Sequence, residues 1–95
     1  KSTTNMDNLQ TIDALVADGR LEEAVASLSV MIEADGDDDT LYFMRGKLRW
    51  RLGDRAGATS DYAVAASLNP SSPAVRALEH ARDVADFFNP DLYNP

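Results

Sequence analysis

Ninety-five residues, 44% hydrophobic and 26% charged, are enough for one compact domain, and no apolar run approaches the roughly 18 residues of a membrane span. A net charge of -7 and a pI near 4.4 create a field that repels phosphate backbones and anionic lipid, which excludes nucleic acid and membrane surfaces as partners. The chain has no cysteine, so disulfides, thiolate catalysis and zinc–cysteine sites are excluded; a cytoplasmic location is expected, with a signal upstream of Lys1 left open.

Met6, Leu9, Ile12, Leu15 and Val16 recur at spacings of three and four, which predicts a first helix capped at Thr4 or Asn5. Asp18-Gly19-Arg20 interrupts the pattern, glycine supplying the left-handed conformation that ends a helix, and Leu21, Ala24, Val25, Leu28 and Ile32 resume it. The run from Asp35 to Thr40 is a turn whose aspartates cap a third helix and sit at the positive end of its dipole. That helix runs to Leu52, and Gly53-Asp54 turns the chain. A fourth spans about Arg55 to Leu68 and stops at Asn69-Pro70-Ser71-Ser72. Pro73 opens a fifth helix at the position where proline is tolerated, and this helix ends near Asn89, before Pro90.

Tyr42, Gly46, Ala58, Tyr62, Ala65 and Pro70 fall at spacings that resemble the tetratricopeptide repeat (TPR) pattern, W-x2-L-G-x2-Y, then A-x3-F, then P. A shift by the length of one such repeat brings Gly19 onto Gly53, Ala24 onto Ala58 and Val30 onto Val64, with Leu28 against Tyr62 and Gly36 against Pro70. The first unit departs from the pattern, with Asn8 and Thr11-Ile12 where the second has Tyr42 and Arg45-Gly46.

The resemblance implies an all-α fold of antiparallel helix-turn-helix hairpins stacked as a short solenoid. One domain would cover 5–95: repeat one 5–38, repeat two 39–72, and a capping helix with a tail over 73–95. Gly46 and Ala58 are small where the two helices of a hairpin approach, Tyr42 and Tyr62 fill the space beside them, and Ala65 meets the next unit. Arg76 and His80, at the places of Tyr42 and Gly46, mark the fifth helix as a cap with a polar outer face. Arg45 stands where the family usually has leucine and Asp61 lies on the facing helix. An ion pair between them is expected, with the arginine stem covering apolar surface.

Arg45, Lys47, Arg49, Arg51 and Arg55 are five of the nine basic residues, packed into one short stretch of an acidic chain. Lys47 and Arg51 are helical neighbours, with Phe43 and Trp50 on or beside the same face. The resemblance places this face on a concave groove that shows Leu9, Asp13 and Val16, then Phe43, Lys47, Trp50 and Arg51, then Ala77, Ala81 and Val84. Cations around large aromatics suit an extended peptide carrying an apolar side chain and a carboxylate. The expected function is therefore a non-enzymatic protein-interaction module serving assembly or regulation, with an unidentified protein or peptide as partner. The alternative is a structural, self-associating module that uses the aromatic tail, so that the chain is a monomer or a weak homodimer.

Narrower readings fail. The members of the family that grip chaperone C-termini use a lysine and asparagines where this chain has Leu9, Asp13 and Met44. The aspartate run lacks an EF-hand's sixth-place glycine (Thr40) and twelfth-place glutamate (Gly46), so no metal is expected. His80 stands without a partner for acid-base work, and no nucleophile elbow or phosphate loop is present; neither catalysis nor a cofactor is expected. The apolar ending from Phe87 to Pro95 calls for cover, by folding back on helices four and five or by meeting another subunit.

Overall fold

The computed structural model describes residues 2–87, with side chains from Leu9 to Ala85. Five helices follow one another: α1 (Ser2–Ala17), α2 (Leu21–Ala34), α3 (Asp39–Arg51), α4 (Arg55–Leu68) and α5 (Ala74–Phe87). No strand occurs among the described residues. The connections are short, so each helix turns back along its predecessor, and the main packing is between sequential neighbours.

The helices stop where they do for local reasons. After α1, Gly19 at φ 78° donates to the Val16 carbonyl at 3.0 Å, and Arg20 N–H donates to that of Leu15 at 2.8 Å. After α3, Gly53 at φ 88° donates to Trp50 at 3.1 Å and Asp54 donates to Arg49 at 2.8 Å. A left-handed residue followed by this pair of bonds satisfies the last carbonyls of a helix, and glycine adopts it without a Cβ penalty. The interval from Gly19 to Gly53 recurs elsewhere. It relates both ends of α2 to those of α4, the C-cap Asp35 to Asn69, and the cap Asp38 to Ser72. Asp38 Oδ1 accepts from Thr40 N–H, and Ser72 Oγ accepts from Ala74 N–H, each at 3.0 Å.

The core forms two clusters. Ile12, Ala24, Leu28, Ile32, Leu41 and Leu48 join α1, α2 and α3; Ala58, Tyr62, Ala65, Ala74 and Ala81 join α4 and α5, with Phe43 and Trp50 of α3 packed against them. Tyr42 packs on both. A Cβ added at Gly46 would lie 2.7 Å and 2.9 Å from Tyr62 ring carbons, so α3 and α4 approach as closely as they do only with glycine there. In the first hairpin the same two places hold Ile12 and Leu28, both fully buried. Two medium side chains fill the space that the second hairpin gives to one ring. The Cα radius of gyration, 14.5 Å, exceeds the about 12 Å of a compact chain this long, and the extents of 53 × 29 × 19 Å describe an elongated shape.

Two boundary expectations change, and a third lies outside the described residues. α1 starts at Ser2, so Thr4 and Asn5 lie within the helix rather than capping it. Residues 2–5 contain no glycine or proline, and Ser, Thr and Asn each disfavour a helix interior by only about 0.5 kcal/mol relative to Ala. α5 starts at Ala74, although the Pro73 carbonyl already accepts from Ala77 N–H at 3.2 Å. The expected end of α5 near Asn89, and the tail to Pro95, lie outside the described residues. No helix among those described is long and apolar enough to cross a membrane.

Candidate functional site

α3 carries its cations on two different faces, and the two sets behave differently. Arg45 and Arg49, one turn apart, point at α4. Arg45 donates from Nε to Asp61 Oδ2 at 2.9 Å and from Nη2 to Oδ1 at 2.7 Å, while Arg49 Nη1 donates to Oδ2 at 3.1 Å. Asp61 is only 2% exposed, so its carboxylate depends on these donors in place of water. Arg45 also donates from Nη1 to Ser29 Oγ at 2.9 Å; that hydroxyl in turn donates to the Val25 carbonyl, which ties α2 into the network. The hydrogen bond to Asp61 raises the Arg45 pKa above its ordinary value, against the opposing effect of burial. Its guanidinium lies 5.7 Å from the centre of the Tyr42 ring. This set is internal architecture. The sequence points to Arg45 and Asp61 but misses Arg49 and Ser29; the helical spacing of Arg45 and Arg49 was the available signal for the former, and none existed for Ser29.

Lys47 and Arg51 lie on the other face, over a cleft of about 370 Å³ between α1 and α3. Ile12 and Leu48 form its floor with Met44 and Val16, and Asp13 and Ala17 complete the α1 wall. Among the described residues neither Lys47 nor Arg51 has an ion-pair or hydrogen-bond partner, and Asp13 across the cleft has none either. The Lys47 ammonium sits 4.8 Å from the centre of the Phe43 ring. The result is an open apolar trough edged by two solvated cations one turn apart.

Of the ten residues expected to line one groove, Asp13, Val16, Lys47 and Arg51 share this cleft. Leu9 packs at the margin of the first core cluster. Phe43 and Trp50 lean the other way. Phe43 lies 5.9 Å from the Tyr62 ring; Trp50 lies 5.7 Å from His80 and has the Arg55 guanidinium 5.2 Å from its centre. Both are bound into the second cluster. Ala81, also expected in the groove, is 2% exposed and belongs to that core, because α5 presents its small residues to α4.

The remaining motif residues serve the fold. Ala58 and Ala65 are fully buried, Tyr62 nearly so, and Pro70 is exposed in the turn before α5. Burial, and secondarily the Asp61 charge, raises the Tyr62 pKa. Asp38 caps α3, and Asp39 accepts from Asn69 Nδ2 at 3.3 Å. No group of three or more His, Asp or Glu side chains suited to a metal occurs among the described residues.

Among solved structures the chain is similar to Bacteroides fragilis protein BF1650, determined in solution by NMR. The two share 34% identity with a TM-score of 0.76, over 90% of this chain and 88% of that one. No protein-family model and no curated protein matches the chain.

Proposed function

We propose that this chain, which belongs to the same family as the Bacteroides fragilis protein BF1650, is a non-enzymatic interaction module built of tetratricopeptide-type hairpins that holds a protein segment in the α1–α3 cleft. The repeat reading is supported by turn bonds, caps and helix ends that all recur at the interval from Gly19 to Gly53, since that interval is the length of the tetratricopeptide unit. The observation that carries the function is the pairing of an apolar floor with two cations that have no carboxylate partner among the described residues. Elsewhere on α3 the arginines are consumed by Asp61. Lys47 and Arg51 stay solvated at the edge of a trough, where a side chain from another molecule can be buried and its carboxylate met.

Such a cleft favours a segment with one aliphatic side chain next to acidic groups. The test is a titration with two short peptide sets, one with leucine flanked by aspartates and one with the aspartates replaced by lysines. The acidic set should shift the amide resonances of Asp13, Val16, Lys47 and Arg51. Lys47→Glu or Arg51→Glu should weaken that binding by about an order of magnitude, with the circular dichroism spectrum unchanged. Equal response to both sets, or binding indifferent to both reversals, would overturn the assignment of the cleft.

A further inference from the structure

The two walls of the α1–α3 cleft carry unlike charges. Asp13 and Lys47 lie equally far along the chain before the turn glycines Gly19 and Gly53, so one place in the hairpin presents a carboxylate from α1 and an ammonium from α3. One turn further on, Ala17 stands where α3 has Arg51. Among the residues that line the cleft, the α1 wall therefore offers one anion and the α3 wall two cations. In α5 the same place is the buried Ala81, so the charge pattern does not continue there.

These charges do not neutralise one another. Asp13, Lys47 and Arg51 are all exposed, and none has an ion-pair partner among the described residues. The apolar floor of Ile12, Val16, Met44 and Leu48 separates the walls, and Lys47 is held on its own side by Phe43, one turn earlier, whose ring centre is 4.8 Å from Nζ. Bringing the walls' charges together would gain little, because an exposed pair is screened by water and must immobilise both side chains. A ligand changes the balance. An apolar group on the floor displaces water from the trough, and each charge then acts through a less polarisable medium. A purely acidic segment gains at Lys47 and Arg51 but meets Asp13, and the chain's net charge of -7, as like charge. A segment with one charge of each sign is attracted at both walls and has no net charge for that field to repel.

We infer, on the reading that this cleft holds a protein segment, that Asp13 is its specificity-determining residue and makes it select a zwitterionic segment. The ligand's aliphatic side chain enters the trough between an acidic residue at the Lys47 and Arg51 wall and a basic residue at Asp13. In an extended chain alternate residues project from one face, so the motif is acid-x-aliphatic-x-base, its two charged residues about 13 Å apart along the backbone. Both chain directions satisfy it. Met44 in the floor adapts to the shape of the aliphatic group.

The test uses the full chain and end-blocked peptides: Asp-Ser-Leu-Ser-Lys, its reverse, and the singly acidic Asp-Ser-Leu-Ser-Ser. Each is titrated at low ionic strength while the amides of Asp13, Val16, Lys47 and Arg51 are followed. The better of the two mixed-charge peptides should bind about threefold more tightly than the singly acidic one. Asp13→Asn should remove that advantage while leaving the singly acidic peptide bound at least as tightly as before. Glu33→Gln, which changes the net charge equally from α2 outside the cleft, should preserve it. Asp13→Lys should reverse the preference, toward Asp-Ser-Leu-Ser-Asp over either mixed peptide. Asp13 and Glu33 are both exposed, so circular dichroism should be unchanged in all three variants. Equal binding of mixed and singly acidic peptides at the cleft, an advantage that survives Asp13→Asn, or one lost equally in Glu33→Gln overturns the inference and leaves the cleft reading standing. No shift at these amides with any of the peptides overturns both.

Discussion

Gly46 sets how near α3 comes to α4. Alanine there would gain about 1 kcal/mol in helix propensity, but its Cβ would press on the buried Tyr62 ring, and overpacking of a filled core costs about 1–3 kcal/mol. The clash wins, so Gly46→Ala should lower stability by about 1 kcal/mol and Gly46→Leu by more, read from urea midpoints. The first hairpin indicates the remedy: Gly46→Ile with Tyr62→Leu copies the Ile12 and Leu28 arrangement and should recover part of the loss of Gly46→Ile alone. At Asp61 the two arginines are unequal. Arg45 gives two bonds and is the more buried, Arg49 gives one at 3.1 Å. Arg45→Met should therefore cost about 2–3 kcal/mol and Arg49→Met clearly less, both by thermal denaturation. Tyr62 supplies a pH dependence. Its folded pKa is raised above the unfolded value of about 10, so the stability it contributes is fully present below about pH 10 and is lost as pH rises through the folded value. Tyr62→Phe should flatten this alkaline loss, seen as a smaller fall in Tm between about pH 9 and about pH 11 than in the parent.

At the scale of the element, the two glycine turns are equivalent in geometry and should be equivalent in energy. A Cβ at Gly19 or Gly53 would meet nothing within 4 Å, so alanine there is penalised only by the left-handed backbone. Each replacement should cost about 1–2 kcal/mol by urea denaturation, and asparagine at either place less than alanine. Turns of this kind were readable in the sequence because glycine is the residue whose conformational freedom they require, and Gly19 and Gly53 each follow a helical run and precede another. The start of α1 was not readable, since Ser, Thr and Asn favour caps yet are tolerated inside a helix, and Ser2 to Asn5 offer no breaker to choose between the two. The candidate cleft was half readable for a related reason. Helical spacing put Lys47 and Arg51 on one face, and Asp13 and Val16 were placed on the facing wall by the repeat resemblance alone. The spacing could not say that Phe43 and Trp50, at the border of that face, turn toward Tyr62 and His80, because that choice is made by the packing of α4 and α5. Ala81 was misplaced by the same missing information: a small residue suits a groove wall and a close helix contact alike.

For the whole molecule, the decisive feature is that α3 packs on both core clusters of the described residues. Tyr42 packs on both, and Arg45 reaches Ser29 on one side and Asp61 on the other. Where helices contact mainly their sequence neighbours, cooperativity rests on the interfaces that join them. Removing the Tyr42 ring should therefore do two things. It should lower stability by about 2–3 kcal/mol, less than the loss for a fully buried aromatic because Tyr42 is only partly buried. It should also weaken the coupling between the α1–α2 side and the α4–α5 side, which a change of equal cost within one cluster, such as Ile32→Ala, should not. The parent is expected to unfold in one transition, with calorimetric and van't Hoff enthalpies equal. In Tyr42→Ala the van't Hoff value should fall below the calorimetric one, and amide exchange in α2 and α4 should report different opening free energies. If Tyr42→Ala and Ile32→Ala lose stability alike and both remain two-state, the clusters are coupled by backbone and by Arg45 rather than by this ring. Arg45→Met would then be the variant that separates them.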